Sequence, residues 1–439
     1  MKFGTDGVRG VANTELTAEF SLRLGRAAAR VLGATGATTV VIGGDTRAST
    51  PMLDAALSAG FATEGIEVVR LGVVPTPMVA FVAQRLGAMG AVVSASHNPY
   101  HDNGIKLFAQ GGTKLSDDVE AAIEQQLPAL QPPLGEPGTI HPVDGTFAAE
   151  YVDHVTSIAA FGPEGRLRIV VDAANGAAHQ LVHDVFERLA AEVIVIGDTP
   201  NGTNINDGCG ATSPDTLASA VRAHGADLGI ALDGDADRLI AVDHSGSIVD
   251  GDHIIAIAAL DMLGRGELRH DTVAVTTMTN LGFHLAMRAA GVEVVTTDVG
   301  DRYVLEALGA HDLVLGGEQS GHVIFADHAT TGDGMLTAVV LVDIVARSGR
   351  SLAELARSAM TSLPQVLVNV PVAERVPDAA ALLAADVTRA ERQLDGQGRV
   401  LVRASGTEPL VRVMVEGPTA ELAAAVADDL AAVVRHRFA

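Results

Sequence analysis

The sequence predicts an α/β protein, with three similar mixed α/β domains around a central cleft and a small C-terminal α+β domain. Three observations predict it. A β-α-β-α-β order recurs three times, each copy ends on an apolar strand that runs into a polar motif, and the pattern changes after Pro364. The length agrees, because 439 residues exceed what a single hydrophobic core usually supports.

The first copy begins at Thr39 with the strand TVVIGG. It continues through a helix reaching Ala62, the strand IEVVRLG and the helix TPMVAFVAQRLGA, and ends on GAVVSAS. The second begins at Arg168 and reads RIVVDA, a helix through Ala191, EVIVIG, a helix after Pro214, then LGIALDGD. The third begins at Thr272 and reads VAVTTM, a helix to Ala290, VEVVTTDVG, a helix across Leu305, then LVLGGEQS. Short apolar runs bounded by turn residues give the strands, and longer amphipathic stretches give the helices. Any α/β protein alternates in this way. Here, however, three polar motifs stand at one equivalent place, the carboxyl end of the last strand of each copy, where open α/β sheets bind ligands. Three related domains facing one cleft would bring those motifs together.

A Pro/Gly-rich stretch, LPALQPPLGEPG over residues 127–138, has the composition of a linker. After Pro364 come a strand (QVLVNVPV), a helix from Pro377, the strands RVLVRAS and LVRVMVEG around a turn, and a last amphipathic helix. The expected domains are therefore 1–144, 145–248, 249–364 and 365–439.

The formal net charge of −24 would repel a nucleic-acid backbone, so nucleic acid is not an expected partner. An anionic ligand would instead need a locally basic pocket. Apolar residues make up 48% of the chain and charged ones 19%, which excludes extended disorder. With Cys209 as the one cysteine, no disulfide can form within the chain, which suits a reducing interior. MKFGTDGVRG lacks the basic stretch and apolar core of a signal peptide. The apolar run from Ala338 is too short to span a bilayer and is interrupted by Asp343. The expectation is a cytoplasmic protein with no membrane partner.

Four motifs and the N-terminal turn carry the candidate chemistry. SASHNPYHDNGIK, from Ser94 to Lys106, sets a serine beside a histidine, as a nucleophile needs; the alternative is an ordinary strand-to-loop turn. DGDADR places Asp233, Asp235 and Asp237 at alternate positions at the end of an apolar strand, where they would repel one another unless a cation sits among them. Oxygen-only ligation suits Mg²⁺. An EF-hand is excluded, since its sixth position should be Gly and is Arg238, and its twelfth should be Glu and is His244. GGEQSGH offers Glu318 and Ser320 to sugar hydroxyls and His322 as an acid or base, although a histidine after a glycine turn is more often structural. RASGTEPLVR presents Arg403 with Ser405, Gly406 and Thr407 in a tight turn suited to an anion; the alternative is a hairpin with surface arginines. GTDGVRG, from Gly4, adds a Gly-rich turn carrying Arg9.

Together and in this order, these motifs resemble those of the α-D-phosphohexomutase superfamily over essentially the whole chain. The opening MKFGTDGVRG, the stretch VGDRYV from Val299, and Gln319 are most similar to its glucosamine-specific branch. The resemblance implies that Ser96 is the catalytic serine and carries phosphate in the active form. It implies a Mg²⁺ held by Ser96, Asp233, Asp235 and Asp237, with Arg238, Glu318 and Ser320 recognising substrate. Arg403, Ser405, Gly406 and Thr407 would bind phosphate, Lys106 and His322 would transfer protons, and Arg9 would contact phosphate. The fourth domain would close over the substrate.

The implied reaction interconverts glucosamine 6-phosphate and glucosamine 1-phosphate through a 1,6-bisphosphate, in amino-sugar nucleotide and cell-wall precursor synthesis. Its partners are the phosphosugar and a bisphosphate sugar activator, and a homodimer is compatible with it. Glu318 and Asp301 are the acceptors expected near a 2-amino group. Two rivals stand beside this expectation. One is a phosphomannomutase/phosphoglucomutase. The other is a non-catalytic phosphosugar sensor, which would need neither Ser96 nor the aspartates.

Overall fold

A computed structural model describes residues 2–4, 6–133, 135–160, 167–189, 192–404 and 409–438. The chain divides into two compact units, Met1–Met278 with Val292–Ala359, and Thr279–Gly291 with Met360–Ala439.

The first unit contains three sheets. The first has the order β1-β5-β4-β2-β3, from β1 (Val8–Val11), β2 (Thr39–Gly44), β3 (Glu67–Val73), β4 (Met89–Val93) and β5 (Asp102–Phe108). The second has the order β10-β9-β8-β6-β7, from β6 (Arg168–Asp172), β7 (Glu192–Ile196), β8 (Leu228–Leu232), β9 (Leu239–Asp243) and β10 (Ile248–Val249). The third has the order β12-β11-β13-β14, from β11 (Thr272–Thr276), β12 (Glu293–Thr297), β13 (Leu315–Gly317) and β14 (Val323–Phe325).

The three strands of each repeat run parallel, and β4 and β8 are buried along their whole length. Burial on both faces explains why they read as continuous apolar runs and not as alternating ones. Each repeat is then followed by an antiparallel strand, with β5 on β4, β9 on β8 and β14 on β13. The repeat pattern had not shown these return strands.

In the first domain, the helices Ala18–Gly33 and Thr50–Thr63 pack Leu24, Leu53, Leu57 and Phe61 into one core with Val40, Ile42, Met89 and Ala91. The two helices touch at Gly60, where an added Cβ would lie 2.3 Å from the Leu22 carbonyl oxygen. The Pro/Gly-rich stretch is laid along this domain. Arg26 and Arg30 donate to the Gln131 carbonyl at 2.6 and 2.7 Å, and Val68 N–H donates to the Thr139 carbonyl at 2.9 Å. Among the described residues, no helix is long and apolar enough to cross a membrane.

The second unit is built on an antiparallel sheet of order β15-β17-β16, from β15 (Gln365–Pro371), β16 (Arg399–Ala404) and β17 (Leu410–Glu416). Val400, Val402, Val411, Val413 and Val415 pack against Ala423, Val426, Leu430 and Val434 of the last helix, Ala420–Phe438. The helix expected from Pro377 forms as two pieces, Ala379–Leu382 and Ala384–Gln393. The helix Leu281–Ala290 also belongs to this unit, with its Leu281 N–H donating to Glu416 Oε2 at 2.9 Å.

Candidate active site

Each of the first three motifs occupies the turn between a parallel strand and its antiparallel return. Residues 94–101 join β4 to β5, 233–238 join β8 to β9, and 318–322 join β13 to β14. All three turns meet within the first unit.

Asp233, Asp235 and Asp237 bring carboxylate oxygens within 4.8 Å of one another and are all buried, the one such acidic group among the described residues. Asp235 Oδ1 has no hydrogen-bond partner, and Asp237 Oδ1 has only Arg238 Nε and His322 Nδ1 at 3.8 Å. Burial, then the charges of Asp237 and Asp235, push the Asp233 carboxyl well above the usual carboxylate range. A hard cation relieves that conflict. An all-oxygen set with two unengaged carboxylate oxygens suits Mg²⁺, which binds through few carboxylates and leaves coordination positions for phosphate.

Ser96 is buried at the end of β4, and its Oγ donates to Asp233 Oδ2 at 2.5 Å. The same oxygen lies 3.2 Å from His97 Nδ1. His97 is uncharged near neutral pH, since burial and the neighbouring Arg238 and Arg9 lower its pKa to about 4. The Ser96 backbone is left-handed, with φ 51°. For a residue with a Cβ such a conformation costs on the order of 1–3 kcal/mol and persists only where its surroundings impose it. Gly234 allows the two loops to approach, because a Cβ there would fall 2.6 Å from the Ser96 carbonyl oxygen.

The return strand β5 carries Lys106 to the same point. Its Nζ lies 2.8 Å from Asp235 Oδ2, 3.0 Å from Asp237 Oδ2 and 2.8 Å from Asp6 Oδ2. Burial disfavours the ammonium, but Asp235, Asp237 and Asp6 outweigh it and hold the Lys106 pKa well above its ordinary value. Thr76 Oγ1 adds a 2.6 Å bond to Asp235 Oδ2. Arg9, opposite Gly104 across β1 and β5, donates to Asp6 Oδ2 at 2.8 Å and reaches Asn98 Oδ1 at 3.5 Å.

From the third turn, His322 is buried with Nδ1 facing Asp237 and Nε2 at 3.7 Å from Asp301 Oδ2. Glu318 Oε1 accepts the Gly300 N–H at 3.1 Å, so this turn is tied to the segment VGDRYV. Ser320 is exposed at the tip. Arg238 donates its backbone N–H to Asp233 Oδ1 at 3.2 Å. Burial opposes its charge, yet Asp237, Asp233 and Glu318 raise its pKa.

The fourth motif lies in the second unit. Arg403 on β16 is paired in register with Arg412 on β17. Burial, then the Arg412 charge, lower the Arg403 pKa, and among the described residues neither arginine makes an ion pair. Arg412 is half-buried, with Nε out of solvent, and is not a surface hairpin arginine. Ser405, Gly406 and Thr407 lie outside the described residues.

Two participants escaped sequence reasoning. Asp6 accepts from Arg9, Lys106 and Lys114, although GTDGVRG suggests only its arginine. Lys114 bonds Asp6 Oδ1 at 2.8 Å and pairs with Asp301, and no local motif marks it.

Residues 1–132, 149–246 and 250–363 match family models described as phosphoglucomutase/phosphomannomutase alpha/beta/alpha domains I, II and III. Residues 367–433 match that family's C-terminal domain. A phosphoglucosamine mutase of Frankia casuarinae is 53% identical over 447 residues, covering 99% of this chain and 98% of its own. Among solved structures, a phosphoglucomutase/phosphomannomutase family protein from Burkholderia thailandensis has a TM-score of 0.83 at 26% identity, over 97% of this chain and 95% of that one. An Aspergillus fumigatus N-acetylphosphoglucosamine mutase, solved in complex with GlcNAc-6P and magnesium, shares the fold at a TM-score of 0.71 and 18% identity, over 100% and 96%. With four domain models matched in order and a relative more than half identical along nearly its whole length, the chain belongs to the phosphoglucomutase/phosphomannomutase family of α-D-phosphohexomutases.

Proposed function

We propose that this chain is an isomerase that interconverts glucosamine 6-phosphate and glucosamine 1-phosphate by way of phosphorylated Ser96. The observation that carries this reading is the Ser96 hydroxyl, 2.5 Å from Asp233 at the edge of a buried three-aspartate cluster. Phosphoserine at 96 donates its phosphoryl group to the sugar 1-hydroxyl, breaking the Ser Oγ–P bond and forming the sugar O–P bond. The 1,6-bisphosphate turns over in the cleft and returns its 6-phosphoryl group to Ser96. A bisphosphate sugar activator loads the serine that begins the cycle. Asp233, Asp235 and Asp237, with Ser96, would hold Mg²⁺, which supplies charge neutralisation for the transferring group.

The chain's own residues do the rest. Lys106 and His322, both beside the aspartate turn, are the candidates for exchanging the sugar hydroxyl proton, Lys106 entering as the ammonium that Asp235, Asp237 and Asp6 favour. Arg9 and Arg238 would contact oxygens of the reacting phosphoryl group, and Arg403 is the candidate partner for a phosphate that is not reacting. Glu318 and Asp301 supply acceptors for a 2-ammonium group. The buried Cys209 fits a reducing cytoplasm as the place of action.

The substrate assignment is tested by kcat/KM for glucosamine, glucose and mannose 6-phosphates under one set of Mg²⁺ and activator conditions. A 2-hydroxyl still donates a hydrogen bond but lacks the charge of the ammonium, a difference of about 1–1.5 kcal/mol, so glucosamine should lead glucose by roughly one decade. Equal values, or a preference for mannose, would move the chain to the phosphomannomutase/phosphoglucomutase branch.

A further inference from the structure

We infer that the buried pair Asp45 and Arg47, with the half-buried Asn206, forms a clamp that positions the peptide bearing Ser96 for phosphoryl transfer, an inference that rests on the phosphoserine reaction proposed for the chain. They are positioning residues, acting through the backbone of the nucleophile.

Both backbone groups of Ser96 are held. Its N–H donates to Ser94 Oγ at 2.9 Å, and its carbonyl accepts from Arg47 Nη2 and from Asn206 Nδ2, each at 2.9 Å. The same guanidinium reaches the Asn98 carbonyl at 2.9 Å and that of Pro99, so one side chain gathers three carbonyls of the 96–99 turn. Arg47 is itself oriented by Asp45, whose Oδ2 accepts Arg47 Nε at 2.8 Å and Ser94 Oγ at 2.6 Å. Asp45 Oδ1 accepts the Arg47 N–H at 3.0 Å and Thr50 Oγ1 at 2.9 Å. One carboxylate thus aims both the hydroxyl that holds the Ser96 N–H and the guanidinium that holds its carbonyl.

Asp45 and Arg47 are each 1% exposed, out of reach of a phosphosugar. A fully buried ion pair gives little net stability compared with well-packed apolar residues of the same volume. What apolar residues would lack is the set of directed bonds. Those bonds account for the left-handed φ of Ser96, which in a free turn would relax and carry Oγ away from Asp233.

Asn206 comes from the second family domain, and its Nδ2 also reaches the Asn98 carbonyl at 3.3 Å. The 45–48 turn is pinned to that domain as well. Ala48 N–H donates to the Gly202 carbonyl at 2.9 Å, and Thr46 Oγ1 to the Asn175 carbonyl at 2.5 Å. The nucleophile's peptide is therefore gripped jointly by its own domain and by the one that carries the aspartates. In-line transfer is sensitive to misplacement of about 1 Å, so this grip bears on the rate.

The test compares the wild type with Asn206→Ala, which removes one carbonyl donor, and Arg47→Lys, which keeps a charge on Asp45 and loses the fork. Steady-state kcat and KM, thermal midpoint, and the rate and extent of Ser96 phosphorylation by a hexose 1,6-bisphosphate are measured for each. Asn206→Ala should lower kcat about tenfold, the equivalent of one hydrogen bond at about 1.4 kcal/mol. Its KM should stay within about twofold, its thermal midpoint should be kept, and Ser96 phosphorylation should slow in parallel; Arg47→Lys should lose more. A merely structural clamp would lower the thermal midpoint and leave kcat per phosphorylatable Ser96 unchanged. A wild type that takes up no phosphoryl group sinks the phosphoserine reaction and the clamp with it. A phosphorylated wild type beside an Asn206→Ala variant with undiminished kcat overturns the clamp alone.

Discussion

Lys106 is the residue on which the charge balance of the site turns. Its ammonium lies within 3.0 Å of three carboxylates contributed by two segments, Asp6 from the N-terminal turn and Asp235 and Asp237 from the turn after β8. Removing one partner of a buried ionic cluster leaves uncompensated charge, and a loss of about 3–5 kcal/mol follows. Lys106→Met, unfolded by denaturant in the presence of chelator, should show a loss of that size; an unchanged midpoint would mean that the ammonium does not hold the cluster. The aspartates themselves were legible, because alternation at the end of an apolar strand leaves few other purposes for them. Their cationic partner was not. Lys106 lies 127 or more residues from them in sequence, and only the antiparallel return of β5 brings it back to the turn. Arg47 was equally silent, although GGDTR also ends a parallel strand, because its bonds go to carbonyls that no side-chain pattern reveals.

At the scale of elements, the helix Gly334–Ser348 shows how a buried cap makes stability depend on pH. Asp333 caps it by accepting the Leu336 N–H at 3.0 Å, and Tyr151 Oη donates to its other oxygen at 2.8 Å. Burial raises this carboxyl to about 6 despite those bonds. A folded-state value above the unfolded one means the contribution is fully present below the unfolded pKa, about 4, and is lost as pH rises through about 6. Asn keeps the cap without the charge. Unfolding free energies of Asp333→Asn should therefore gain on the wild type between pH 4 and 7, and parallel pH profiles would contradict the assignment.

The hairpin of β16 and β17 gives the opposite kind of test. Arg403 and Arg412 sit side by side across the strands, so Arg403→Ala removes a repulsion and should leave the thermal midpoint unchanged or higher. KM for the phosphosugar should rise about tenfold if one charge-assisted contact is lost; unchanged kinetics would return the turn to an ordinary hairpin. The strands of this hairpin were legible as short apolar runs flanking a turn. The antiparallel partners β9, β10 and β14 were not, since pairs of two to five residues carry too little periodicity to be read locally.

Across the whole molecule, a strongly acidic chain sets Lys106 and Arg238 against the buried aspartates and Arg9 and Lys114 against Asp6, which Lys106 links to them. The convergence of the first three motifs followed from a topological rule applied three times, which is why it could be read from the order of elements alone. The grouping of the helix Leu281–Ala290 with the C-terminal unit could not, because its amphipathic pattern shows a face to be buried and not what buries it. Everything proposed for the reaction passes through one atom, Ser96 Oγ. The most direct measurement is the intact mass of the protein after incubation with Mg²⁺ and a hexose 1,6-bisphosphate, for the wild type and for Ser96→Ala. The wild type should gain about 80 Da, the mass of one phosphoryl group, and still carry it after turning over glucosamine 6-phosphate, because each cycle returns a phosphoryl group to Ser96, while the folded Ser96→Ala variant gains nothing and has no mutase activity. A wild type that turns over substrate without acquiring that mass, or an active Ser96→Ala variant, would contradict the phosphoserine route.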